Sequence, residues 1–178
     1  MTPEQIKGLI RTVPDFPAPG IAFRDITSLL AHGPGLAATI DHLTAHARSA
    51  GAQAVAGIEA RGFVFGAAVA ANLGIGFVPI RKPGKLPVET IGIDYALEYG
   101  NDRLELDPSA IAMGQRVLLL DDLIATGGTA LAGARLLGQA GGSVEHASFV
   151  IDLPDLGGAA KLREAGLTVN ALMAFDGQ

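Results

Sequence analysis

Between Val117 and Ala130 the chain passes from a continuous aliphatic run, through two adjacent aspartates, into a turn of alanine, threonine and glycine. Few architectures accommodate that order. Val117 to Leu120 has no polar residue at either alternating position, the pattern of a strand buried on both faces of a parallel sheet. Asp121 and Asp122 follow where such a strand would leave the sheet, at the carboxyl edge where open α/β sheets bind ligands. Ala125, Thr126, Gly127, Gly128 and Thr129 are small or hydroxylic, so backbone N–H groups can face an anion with no side chain in the way. Leu131, Ala134, Leu136 and Leu137 then give a helix its apolar stripe. The amino terminus of that helix would aim free N–H groups and the positive end of its dipole at the same anion. The expected fold class is α/β, a mostly parallel sheet of about five strands flanked by helices on both faces.

Carboxylates repel phosphate, so an acid pair beside a phosphate cradle is coherent only for a ligand that offers hydroxyls to one and a phosphate to the other. A ribose 5-phosphate does both. No Gly-Lys-Ser/Thr follows the turn, which removes a nucleotide P-loop, and the glycine spacing is not that of a dinucleotide fingerprint. The alternative is an ordinary strand-turn-helix corner that carries two aspartates by chance.

The order of four apolar residues, two acids, two apolar residues and a Thr/Gly-rich turn resembles the phosphoribosyl-diphosphate (PRPP) motif of the type I phosphoribosyltransferases. The resemblance implies that residues 125 to 129 cradle a phosphate of PRPP and that Asp121 and Asp122 hold its ribose hydroxyls, directly or through water. Their negative charge would then favour an oxocarbenium-like ribosyl centre.

Composition sets outer bounds. At 178 residues, 49% hydrophobic and 17% charged, the chain is expected to form one domain over residues 1–178 with a substantial core. No apolar run approaches the roughly 20 residues of a membrane helix. A net charge of −5 argues against nucleic acid or an anionic membrane as partner. The absence of cysteine excludes disulfides and thiolate metal sites, and the first residues lack a signal-peptide pattern, so a cytoplasmic address is expected.

Thr2, Pro3 and Gln5 read as a capped helix start, with Ile6, Leu9, Ile10 and Val13 as its face. From Asp15 to Thr27 two prolines, Pro17 and Pro19, fix an extended arm that is neither helix nor central strand. Phe16 and Phe23 could simply pack on the core. The string Phe-Pro-x-Pro-Gly-x-x-Phe-Arg-Asp-Ile resembles, however, the arm of those family members that use adenine. There it forms a base-binding hood. By position, Phe23 would stack on the purine, the backbone around Ala22 and Arg24 would read its edge, and Leu123 would cover the other face.

Pro34 to Ala50 is helical in pattern, Ala54 to Ile58 reads as a buried strand, and Phe63 to Leu73 as a helix rich in Ala and Gly. His42 and His46 lie one turn apart without a third ligand, which reads as a solvated helix face rather than a metal site; His32 and His146 acquire no role. Glu59, Ala60, Arg61 and Gly62 form a second turn at a strand's carboxyl end. On composition it is a surface ion pair; by resemblance it binds the pyrophosphate through backbone N–H groups and Arg61, with Glu59 and Ala60 standing where some members have Asp-Ser. Phe77 to Ile80 reads as a strand. Arg81, Lys82 and Lys85 make a short basic loop, either a solvated charge run or a counter-charge to PRPP whose Pro83-Gly84 centre suits movement.

Ile91, Ile93, Tyr95 and Leu97 alternate with Gly92, Asp94, Ala96 and Glu98, and Arg103 to Leu106 follows a turn at Gly100-Asn101, the pattern of a β-hairpin. It could be an edge ornament or a lid; Leu97-Glu-Tyr-Gly100 resembles the family's lid, which places Glu98 and Tyr99 over the base. Further strands are expected at His146 to Leu153 and Thr168 to Leu172, with a short helical crossing between them.

Taken whole, the resemblance implies an enzyme that joins PRPP to adenine, giving AMP and pyrophosphate in purine salvage. Glu98 would be the catalytic proton acceptor, Arg61 would act on the diphosphate, and Mg²⁺ would be held mainly by substrate oxygens. The resemblance also implies a homodimer, with Arg81 a candidate to reach the neighbour's diphosphate. Two other readings stay open: a regulator that senses PRPP without catalysis, and an enzyme for another purine or a pyrimidine.

Overall fold

The computed structural model describes residues 1–97 and 100–177. In chain order the elements are α1 (Pro3–Lys7), β1 (Arg11–Val13), β2 (Phe23–Asp25), α2 (Thr27–Leu30), α3 (Gly33–Ser49), β3 (Ala54–Ile58), α4 (Arg61–Leu73) and β4 (Gly76–Ile80). The hairpin β5 (Ile91–Ala96) and β6 (Asn101–Leu106) follows, then β7 (Val117–Ile124), α5 (Gly128–Gln139), β8 (His146–Asp152), α6 (Gly158–Glu164) and β9 (Thr168–Ala174).

Five strands form a wholly parallel sheet in the order β4-β3-β7-β8-β9. Alternation along its central strand divides the interior into two cores. Val117 and Leu119 face one, with Ile80, Leu136, Leu137, Phe149 and Leu162, and Leu118 and Leu120 face the other, with Leu29, Leu43, Phe65, Val69 and Val150. The chain winds from β3 outward to β4, then returns to the other side of β3 and continues through β7, β8 and β9. Parallel crossovers are right-handed, so opposite winding directions put α4 and α5 on opposite faces, and a crevice opens between β3 and β7 at their carboxyl ends.

Glycines let the layers close. A Cβ on Gly57 or Gly66 would stand 2.8 Å from the Phe77 ring, so that ring packs where β3 and α4 have no side chain. A Cβ on Gly62 would stand 2.7 Å from Asp121 Oδ1, so only glycine lets the start of α4 pass the acid pair.

Several expectations need correction. Strand β7 does not end at Leu120. Its pairing with β3 stops there, but it continues beside β8 to Ile124, so both aspartates lie within a strand that is paired on one side only. Val13 is not on a helix face: α1 stops at Lys7, and Val13 pairs with Phe23 in the small β1–β2 ribbon. Helix α4 starts at Arg61 rather than Phe63. Asn101 is not a turn residue, because it pairs with Ala96. The hairpin's stem is no free flap, since Leu104 and Leu106 are fully buried and Arg81 bridges to Glu105 at the edge beyond β4. Phe16 does not pack on the core; it is 51% exposed and meets Phe23 edge-on at 5.2 Å.

The histidines also have structural duties. His32 caps α3 by accepting the Gly35 N–H at 3.0 Å. His46 is half-buried rather than solvated, with Nδ1 2.7 Å from the buried Ser148 hydroxyl. Desolvation, then the nearby His146, hold its pKa below the usual value.

Candidate active site

The crevice at the carboxyl ends of β3 and β7 holds a cavity of about 350 Å³, lined by Glu59, Ala60, Arg61, Lys82, the run Asp121 to Ala130, and Ile58. Two helices begin at its wall. Neither α4, capped by Ala60, nor α5, capped by Gly127, has a side-chain hydrogen bond to its first turn. Free N–H groups and the positive ends of both dipoles therefore remain available to an anion. Gly127 has φ +80° and permits the sharp entry into α5.

The acid pair stands between these termini. Asp122 is buried and its carboxylate accepts from Arg61 Nε at 2.5 Å, while Asp121 Oδ1 accepts the Asp122 N–H at 2.9 Å. Burial, then the charge of Asp122, push the Asp121 carboxyl well above the usual carboxylate range. A site with two adjacent carboxylates and N–H-rich walls suits a ligand with hydroxyls between anionic groups.

Of the basic loop, Lys82 lines the cavity, whereas Arg81 and Lys85 do not. Arg81 turns to Glu59 at 3.3 Å, and Lys85 is exposed. Glu59 also accepts the Lys82 N–H, so its carboxylate ties the basic loop to the β3–α4 turn. Lys82 Nζ pairs with the Asp102 carboxylate, which also accepts from the Tyr95 hydroxyl at 3.1 Å. That ammonium, as the leading cause, holds the Asp102 carboxyl below its ordinary value.

Leu123 lines the cavity but Phe23 does not. The arm nonetheless sits at the same edge of the sheet. The Arg24 guanidinium donates to Thr12 Oγ1 at 2.7 Å and to the Asp176 carbonyl at 2.9 Å, and lies 4.7 Å from the Phe175 ring centroid, just beyond the carboxyl end of β9. The Arg24 side chain thus anchors the arm, while Ala22 and Phe23 stay half-buried. Asp25 secures the arm's other end: the Thr27 hydroxyl, the Arg11 guanidinium and the Thr27 N–H lower its pKa to about 2. Glu98 and Tyr99 lie outside the described residues.

Two residues escaped the reading of the sequence. Gly158 opens α6 against the back of the turn at residues 125–129: its N–H donates to the Ala125 carbonyl at 2.9 Å, and a Cβ there would stand 2.7 Å from the Gly127 nitrogen. A Gly-Gly pair at a helix start was the available signal. Asp102 faces Tyr95 only through the hairpin register, which no local pattern states.

A sequence model of the family described as "Phosphoribosyl transferase domain" matches residues 27–161. Adenine phosphoribosyltransferase of Novosphingobium aromaticivorans is 72% identical over 177 residues, 99% of each chain. The crystal structure of adenine phosphoribosyltransferase from Thermoanaerobacter pseudethanolicus superposes with a TM-score of 0.93 at 46% identity, covering 98% of this chain and 100% of that one. The Giardia lamblia enzyme, solved with 9-deazaadenine, superposes at 0.91 with 34% identity and 98% of each chain covered. With identity at that level running the whole length, and the family model spanning the cradle itself, the chain belongs to the phosphoribosyltransferases, in their adenine phosphoribosyltransferase branch.

Proposed function

We propose that the chain transfers the 5-phosphoribosyl group of PRPP to adenine, forming AMP and pyrophosphate. One observation carries this reading: two helix amino termini without side-chain caps meet at one cavity, with an acid pair between them. Residues 125 to 129 at the start of α5 would take the 5-phosphate. Glu59, Ala60 and Arg61 at the start of α4 would take the diphosphate, with Lys82 beside it and Arg81 and Lys85 contributing longer-range charge. Asp121 and Asp122 would take the ribose hydroxyls.

Adenine N9 attacks C1′ of PRPP, the C1′–oxygen bond to the diphosphate breaks, and pyrophosphate leaves. Positive charge develops on the ribosyl ring in between, where the acid pair stabilises it, while Arg61 and the N–H groups of α4 stabilise the departing diphosphate. The proton displaced from the base goes to Glu98, and Tyr99 closes the lid beside it. Phe23 and Leu123 sandwich the ring, with the backbone at Ala22 and Arg24 on its edge; the 9-deazaadenine bound by the Giardia lamblia relative supports a base site of this kind.

Phosphoribosyltransferases in general use Mg²⁺ with PRPP. Among the described residues no group of three or more His, Asp or Glu side chains is placed to hold a metal ion. The carboxylates of Asp121 and Asp122, which line the cavity, would stand beside an ion that arrives on the substrate and keeps several waters. Bound there, Mg²⁺ would neutralise charge on the leaving diphosphate.

A cytoplasmic homodimer is the address and assembly we infer from the family resemblance. Arg81 would exchange Glu59 for the partner's diphosphate if it acts across the interface. The test is nucleotide formation from PRPP with adenine, hypoxanthine, guanine, xanthine and uracil, with and without Mg²⁺. Mg²⁺-dependent AMP formation is expected; nucleotide formation from another base in preference to adenine would overturn the assignment.

A further inference from the structure

Of the four cations assigned to the proposed diphosphate end, three are held by a carboxylate: Arg61 by Asp122, Arg81 by Glu59 and Lys82 by Asp102. Two of those carboxylates belong to the site's own strand ends. Asp102 comes instead from β6, outside the cavity wall. It also accepts from the Tyr95 hydroxyl at 3.1 Å, and the Tyr95 oxygen accepts from Thr129 Oγ1 at 3.3 Å. Lys82, Asp102, Tyr95 and Thr129 therefore form one continuous chain, from the cation of the diphosphate end to a hydroxyl of the phosphate cradle.

We propose that Asp102 and Tyr95 form a latch that stores the Lys82 ammonium while the site is empty and releases it to the diphosphate once the cradle is occupied. The inference rests on the PRPP reading given above. A phosphate dianion is a stronger acceptor than a phenol oxygen, so a phosphate in the cradle takes the Thr129 hydroxyl. Tyr95 then loses its donor, and a hydroxyl whose oxygen accepts nothing donates more weakly, which loosens its support of Asp102. Lys82 is left between one carboxylate and an arriving diphosphate of higher charge. Asp102 and Tyr95 are positioning residues, because they act through Lys82 and Thr129. The latch gives the two ends of the site a coupling that is reciprocal.

The experiment measures binding of inorganic pyrophosphate by calorimetry at fixed Mg²⁺, with and without saturating ribose 5-phosphate. In the parent, ribose 5-phosphate should strengthen pyrophosphate binding by about fivefold or more. Asp102→Asn removes the stored counter-charge while keeping shape. Pyrophosphate alone should then bind about three- to fivefold tighter, the effect of one partly exposed ion pair, and the coupling should shrink to within about twofold of none. Tyr95→Phe deletes a single oxygen, keeps the packing of the hairpin, and should also lose the coupling. In a Lys82→Met background Asp102→Asn should change pyrophosphate binding by less than about twofold, because no cation remains to store. Unchanged or weaker pyrophosphate binding in Asp102→Asn, with coupling as in the parent, overturns the latch and leaves the site assignment standing. Failure of pyrophosphate and ribose 5-phosphate to bind the parent overturns the site assignment and the latch with it.

Discussion

Gly158 is the position where a single methyl group tests how the proposed phosphate cradle is built. The residue does not line the cavity, yet a Cβ there would press on the Ala125 carbonyl and stand 2.7 Å from the Gly127 nitrogen and 2.8 Å from Ile124 Cγ1. The Gly127 distance is about 0.7 Å short of ordinary contact, and two of the three neighbours are cradle backbone rather than flexible side chain. Gly158→Ala must therefore move the cradle, α6 or both. Overpacking of this kind costs about 1–3 kcal/mol, and a weakened bond from Gly158 N–H to the Ala125 carbonyl adds up to about 1 kcal/mol. For a domain of this size each kcal/mol lowers Tm by roughly 2–4 °C, so a drop of roughly 2–16 °C is expected. Displacing the proposed phosphate donors by a large fraction of an ångström should also reduce kcat/KM for PRPP by about 10- to 100-fold. The KM for adenine should stay within about threefold, because the base site proposed above is built from the arm and lid. Thermal unfolding and initial rates with each substrate varied in turn make the measurement. A variant with parental Tm, or one whose two substrates suffer equally, would refute the reasoning that Gly158 supports the phosphate end.

Phe23→Ala should weaken adenine and AMP together by about 1–3 kcal/mol, as for a base stacked on an aromatic, with PRPP binding to the free protein unchanged; unaltered AMP affinity by calorimetry would remove the stacking role. Glu98→Gln keeps shape and hydrogen bonding but cannot take a proton. It should slow the chemical step by roughly 10²–10⁴-fold in single-turnover experiments with adenine affinity within a few-fold, and a rate within about threefold of the parent would move proton transfer elsewhere. Asp121 has a folded pKa raised above the unfolded value of about 3.9. The folded state therefore binds the extra proton, and the residue's relative stability is full below that value and lost as pH rises through the folded pKa. Asp121→Asn retains an acceptor for the Asp122 N–H and should raise Tm at pH 7–8, by less as pH falls towards about 4. A gain that does not vary with pH would count against the charge as its source.

Local chemistry made half of this site legible in the chain. Hydrophobic continuity from Val117, the two aspartates and the small residues from Ala125 to Thr129 are neighbours in sequence, so strand, acids, cradle and helix start could be read from spacing alone. The same holds for the Thr2 capping box and the Glu59 to Gly62 turn. What tertiary structure decided depends on pairings no local pattern contains. Strand β7 runs on through the acids because β8 supplies partners there after β3 has ended. Val13 leaves its expected helix because Phe23 offers a strand partner. Gly158 reaches the cradle only when α6 is folded back over the sheet, and Lys82 meets Asp102 only through the register of a hairpin packed against β4 and α5. Periodicity and turn propensity act over a few residues, whereas burial and charge pairing select partners across the whole topology. The elements and the class of ligand are therefore written along the chain, and the electrostatic state of the site is written only in space.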